Sequence, residues 1–118
     1  IINIDNFQLL NVKHSSHIVD FIIKKIAQQL QRIARPSDFL FRYTENEFLL
    51  VLVEMNEAQS LQMASHIKSK ISNKPLQLPD LSQIAIEISV GTASYEGHPD
   101  HNFMIKSALL GLKNNETL

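Results

Sequence analysis

Two spacings of apolar residues alternate along this chain, and together they lay out its elements. IINI at 1–4 is short, β-branched and continuous, the pattern of a buried strand. Asp5 and Asn6 then offer an N-cap for a short helical turn carrying Phe7, Leu9 and Leu10. Ser15 and Ser16 restart a helix in which Ile18, Phe21, Ile22, Lys25, Ile26, Gln29, Leu30 and Ile33 recur at three- and four-residue steps, so one face is core. Pro36 closes that helix, since it lacks an amide hydrogen and restricts Arg35 before it.

DFLFRYT and NEFLLVLVE follow as two strands separated by a tight polar turn around Thr44–Asn46. Asn56 opens a second long helix with Ala58, Leu61, Ala64, Ile67 and Ile71 on its buried face, and Lys74–Pro75 stops it. Residues 75–82 form a loop with at most one short strand. QIAIEISV alternates Ile84, Ile86, Ile88 and Val90 against other residues as one half-buried strand ending near Gly91. A last helix is predicted from Pro99 or Asp100 to about Asn114. The order β-α-α-β-β-α-β-α lacks strict alternation. It predicts an α+β fold, a central and mostly antiparallel sheet flanked by helices. Phe7, Phe21, Phe39, Phe41 and Phe48 are most simply placed in the core.

Composition narrows the picture further. The 118 residues suit one domain with its own core, 1–118, and 44% apolar with 19% charged residues is ordinary for a globular protein. A formal net charge of −1 gives no electrostatic reason to expect nucleic acid or an anionic membrane as partner. With no cysteine, disulfides and thiolate metal sites are excluded, which fits a reducing, cytoplasmic compartment. No apolar run approaches the roughly 20 residues of a bilayer span, so no direct membrane insertion is expected. The abrupt opening on IINID reads as the inside of a strand whose natural neighbours lie before it.

The motifs are ordered as in a known family. NIDNFQLLNVKHSSHIVD at 3–20, RYTENEF at 42–48, SVGTA at 89–93 and IKSALLGLK at 105–113 resemble, in order and spacing, the conserved segments of the GGDEF domain. That domain is the bacterial diguanylate cyclase module, which joins two GTP molecules into cyclic di-GMP. The resemblance covers nearly the whole chain and implies the nucleotide-cyclase palm fold, without the family's N-terminal helix. It also implies metal-assisted phosphoryl transfer, in which two divalent ions bridge the triphosphate.

The departures bear on that chemistry. Asn3 stands where the resemblance implies the first metal-binding carboxylate, and Asn46 where it implies the second. An amide offers a carbonyl but no charge, and hard cations such as Mg²⁺ favour anionic oxygen, so Mg²⁺ binding is expected to be lost. Thr44 and Glu45 replace the two glycines that let backbone approach phosphate. Glu47 and Phe48 keep the rest of the signature. Lys113 matches a phosphate-contacting lysine, while Thr117 falls where an arginine is implied. The expectation is a degenerate domain that is not an enzyme, with weak cyclase activity as the least favoured alternative.

Two binding sites are implied as retained. Asn11 and Asp20 match the guanine-recognising pair and mark a vestigial guanine site; the plainer alternative is a turn cap and a solvated helix residue. Arg35 and Asp38, in RPSD, match the R-x-x-D form of the family's inhibitory site, with five residues between Asp38 and Thr44 as the resemblance requires. Arginine there suits forked recognition of phosphate or guanine, so cyclic di-GMP is the implied ligand. The plainer alternative is a helix-terminal arginine and a turn-forming aspartate. His66, Lys68 and Lys70 substitute only weakly for a further arginine. The expected function is cyclic di-GMP sensing within a larger, membrane-anchored bacterial signalling protein. The alternative is an interaction or dimerisation module with no nucleotide bound, working on an adjacent sensor domain, an EAL-type domain or a homodimer partner.

Two other clusters carry less. His14 with His17, and His98 with Asp100 and His101, have zinc-like spacing without a convincing third or fourth ligand. Glu45 and Glu47 flank Asn46 and offer a carboxylate pair for acid–base work, insufficient on its own.

Overall fold

In the computed structural model, residues 1–93 are described. The elements are β1 (Ile2–Ile4), α1 (Phe7–Lys13), α2 (Ser16–Ile33), β2 (Phe39–Thr44), β3 (Glu47–Val51), α3 (Glu57–Ser72), β4 (Leu76–Gln77), β5 (Gln83–Ile84) and β6 (Ile88–Val90). The expected last helix, Lys113, Thr117, His98 and His101 lie outside the described residues. The fold is α+β as expected, with a four-stranded antiparallel sheet in the order β2-β3-β1-β6 and a separate small ladder of β4 and β5.

Register decides which face is core. Ile2 lies opposite both Phe48 and Val90, and Ile4 opposite Ile88, so these side chains share one face of the pleat. Helices α2 and α3 bring Val19, Ile22, Ile23, Ile26, Leu30, Ile67 and Ile71 to the same core. Six of the core residues, Ile2, Ile4, Ile22, Ile26, Leu30 and Ile88, are almost wholly removed from water. Among the described residues, no helix is long and apolar enough to cross a membrane.

Capping follows the sequence at two of the three described helices. The Ser15 hydroxyl accepts from the Ile18 amide at the start of α2. Asn56 opens α3 with a capping box: its Oδ1 accepts from the Gln59 amide at 2.8 Å, and Gln59 Oε1 accepts from the Asn56 amide at 3.0 Å. Helix α1 departs from expectation. Asn6 precedes it in the left-handed region (φ 55°) and makes no side-chain cap, and Asp5 turns elsewhere.

Several expected core positions are corrected. Phe39 and Phe41 are more than half exposed, because they occupy the outer face of a strand at the edge of the described sheet, opposite to the face that carries Leu40. Their rings stack at 6.5 Å between centroids. Leu61 is half exposed, Ala58 is exposed, and α3 buries only Ile67 and Ile71. On α2, Lys25 is exposed, and Val19 and Ile23 join the core. The expected single strand QIAIEISV is two strands, because the chain leaves β4 after Ile84 and rejoins the main sheet beside β1 at Ile88.

Candidate functional site

The polar residues of the RYTENEF turn meet the end of β1 at the sheet's centre. Strands β2 and β3 pair from Phe39–Val51 to Arg42–Phe48, and the register then shifts so that Thr44 faces Glu47. Arg42 Nη2 donates to the Glu45 carbonyl at 2.8 Å and braces the tip from outside. Thr44 Oγ1 lies 2.9 Å from Glu47 Oε1 and 3.3 Å from Asn46 Oδ1, within donating distance of either. From β1, the Ile4 amide donates to the Asn46 carbonyl at 2.9 Å, so backbone ties the turn to the sheet.

Side chains then run in a chain across the sheet. Asn46 Nδ2 donates to Asn3 Oδ1 at 2.9 Å, and Asn3 Nδ2 donates to Asp5 Oδ1 at 3.0 Å. The Ser89 hydroxyl, on buried β6, lies 2.8 and 3.0 Å from the two oxygens of Asp5. Asp5 and Ser89 are the members that sequence reasoning missed as site residues. Asp5 was legible only as a carboxylate two positions after Asn3, and Ser89 only as a small polar residue in a buried strand. Asn3, Asp5, Asn6, Gln8, Glu45 and Asn46 line an open depression of about 730 Å³, with apolar walls from Ile4, Phe7 and Leu9.

The metal pair implied by the resemblance meets a donor set of the wrong kind here. Asn46 faces Asn3 as hydrogen-bond donor to acceptor, with no carboxylate oxygen between them. The carboxylates lining the depression are Asp5, already accepting from Asn3 and Ser89, and Glu45. Among the described residues, no group of three or more histidines, aspartates or glutamates could hold a metal ion, and His14 and His17 gather none.

Arg35 and Asp38 form a separate, tightly built turn between α2 and β2. Asp38 Oδ1 accepts from Arg35 Nη2 at 2.8 Å and from the Val53 amide at 3.3 Å; Oδ2 accepts from Arg35 Nε at 3.0 Å and from the Arg35 amide at 2.9 Å. Arg35 Nη2 also donates to the Val53 carbonyl, a backbone partner with no sequence signal. The Asp38 side chain is fully covered and that of Arg35 is 38% exposed, so the arginine is the outward member of the pair. The forked guanidinium holds the Asp38 carboxyl below the usual carboxylate range, and the same hydrogen bonds raise Arg35. The structure thus brings Arg35 and Asp38 together. Asn11 and Asp20 are exposed on α1 and α2.

The family model described as "Diguanylate cyclase, GGDEF domain" matches residues 1–115. The diguanylate cyclase DosC of Escherichia coli K12 is 34% identical over 108 residues, which is 92% of this chain but 24% of DosC. The chain therefore spans about a quarter of that relative. Among solved structures, the GGDEF domain of DgcB from Caulobacter crescentus, in complex with c-di-GMP, superposes with a TM-score of 0.89 at 21% identity, over 98% of this chain and 69% of that one. The active GGEEF domain of a Vibrio cholerae diguanylate cyclase gives 0.85 at 20% identity, over 98% and 73%. At those identities the likeness is one of fold.

These findings correct one expectation. Asn3 and Asn46 suggested a chain that is not an enzyme, yet the family match and its relatives are those of diguanylate cyclases. Two substituted ligand positions speak to cation affinity at one place; the match over residues 1–115 sets the class of the domain.

Proposed function

This chain belongs to the GGDEF domain family, and on that premise we propose that it serves a larger bacterial signalling protein as a domain that binds cyclic di-GMP through Arg35, with Asp38 as the residue that orients it. The observation that carries this reading is the forked Arg35–Asp38 contact, in which a covered carboxylate fixes a guanidinium that remains partly exposed. A guanidinium already held in one plane loses little freedom on pairing with phosphate or with the Hoogsteen edge of guanine. Asp38 has both oxygens engaged, by Arg35 and by the Val53 amide, so its part is to position Arg35.

A second reading, an interaction or dimerisation module without nucleotide, draws on the exposed and stacked Phe39 and Phe41 at the sheet edge. Its partner would be an adjacent sensor or EAL-type domain, or a second copy. Calorimetric titration of cyclic di-GMP into the 118-residue chain separates the two. Saturable binding is expected, weakened at least about tenfold in Arg35→Lys, which keeps the charge but not the fork. Absence of binding heat at several temperatures in the unsubstituted chain would leave the interaction module standing.

A further inference from the structure

We propose that Ser89, Asp5, Asn3 and Asn46 form a directional hydrogen-bonded brace that fastens the hairpin turn to the sheet without any cation.

The direction follows from which groups can donate. An ionised carboxylate only accepts, so Asp5 imposes a donor on each neighbour that reaches it. Ser89 supplies its hydroxyl, and Asn3 must present its NH₂ side, at 3.0 Å. With Asn3 so oriented, its oxygen is turned toward residue 46, and Asn46 must answer with its own NH₂, at 2.9 Å. Asp5 thereby sets the orientation of two amides in series. The joined positions are 43 residues apart between Asn3 and Asn46, and 84 between Asp5 and Ser89, so the brace ties β6, the end of β1 and the hairpin turn together.

The same geometry is hostile to a divalent ion between residues 3 and 46. A cation entering there would meet the N–H hydrogens of Asn46. Turning the Asn46 oxygen toward it would take the donor away from the Asn3 oxygen, and the ion would gain two neutral carbonyls and no charge. Two carboxylates at this separation would need a cation to offset their repulsion; two amides attract each other directly. In this chain, then, the side-chain connection between β1 and the turn, beside the backbone bond from Ile4 to Asn46, is made by the amides themselves, and the shape of the depression they line does not depend on Mg²⁺.

The test compares thermal unfolding in EDTA and in millimolar Mg²⁺ or Mn²⁺, for the unsubstituted chain and for the double variant Asn3→Asp/Asn46→Asp. The midpoint of the unsubstituted chain is expected to stay within about 1 °C between the two conditions, while that of the double variant falls in EDTA and recovers with cation. Should the double variant fail to fold, the side-chain amide signals of Asn46 in the unsubstituted chain give a direct readout by NMR. They are expected to be protected and unmoved by Mg²⁺. A cation-dependent midpoint in the unsubstituted chain, or Asn46 amide signals that shift and saturate with Mg²⁺, would overturn the proposal.

Discussion

Removing the carboxylate at position 38 is expected to cost more stability than its place in a loop suggests. In Asp38→Ala, four donors lose their acceptor at once: the amides of Arg35 and Val53 and the Nε and Nη2 of Arg35. Water reaches the guanidinium, whose side chain is 38% exposed, and satisfies much of its share. The two backbone amides are less easily served, at about 1 kcal/mol each, so a loss of about 2 kcal/mol is expected. For a domain of this size that lowers the unfolding midpoint by roughly 8 °C.

The pH dependence has a definite sign. Arg35 holds the Asp38 carboxyl below its ordinary value in the folded chain. Its contribution is therefore complete above the unfolded value of about 3.9 and is lost as pH falls through the lower folded value. Urea unfolding at neutral pH and again well below pH 4 is the assay, comparing Asp38→Ala with the unsubstituted chain. The difference should be full at neutral pH and shrink in acid. A difference within about 0.5 kcal/mol at neutral pH would refute the view that Asp38 organises this turn, because surface substitutions commonly stay inside that range.

Asn56→Ala removes the side-chain half of the capping box at α3, leaving the backbone amide of residue 56 to donate to Gln59, and should lower stability by about 1 kcal/mol by urea unfolding, with Asn56→Asp recovering most of it. Leu30→Ala empties a fully buried position of α2 in the hydrophobic core and should cost about 3 kcal/mol in the same assay.

Much of this molecule could be read from residue spacing. Helix α2 and its Ser15 cap, the Asn56 cap and the β2–β3 hairpin all follow from local rules that act within a few residues. What escaped reading depends on residues distant in sequence. The alternation Ile84, Ile86, Ile88, Val90 continues unbroken while the backbone changes partners, because period records the facing of side chains and not which strand lies beside them. Phe39 and Phe41 alternate as core residues would, but β2 is an edge of the described sheet and their face of it is left exposed. At the candidate site, residues 3, 35, 38 and 46 were legible from the motifs. Asp5, read as a cap, instead accepts from a serine 84 residues away, which no local rule foretells.

The aromatic edge has a practical side for anyone handling this domain alone. Strand β2 offers six residues without a proline, an unshared backbone edge in the described sheet, and two stacked rings turned to water. Such an edge is where chains gather first when concentrated, by adding strand to strand. If a preparation clouds during concentration, the place to intervene is Phe41 on β2, which leaves the depression beside Asn3 and the Arg35 turn untouched.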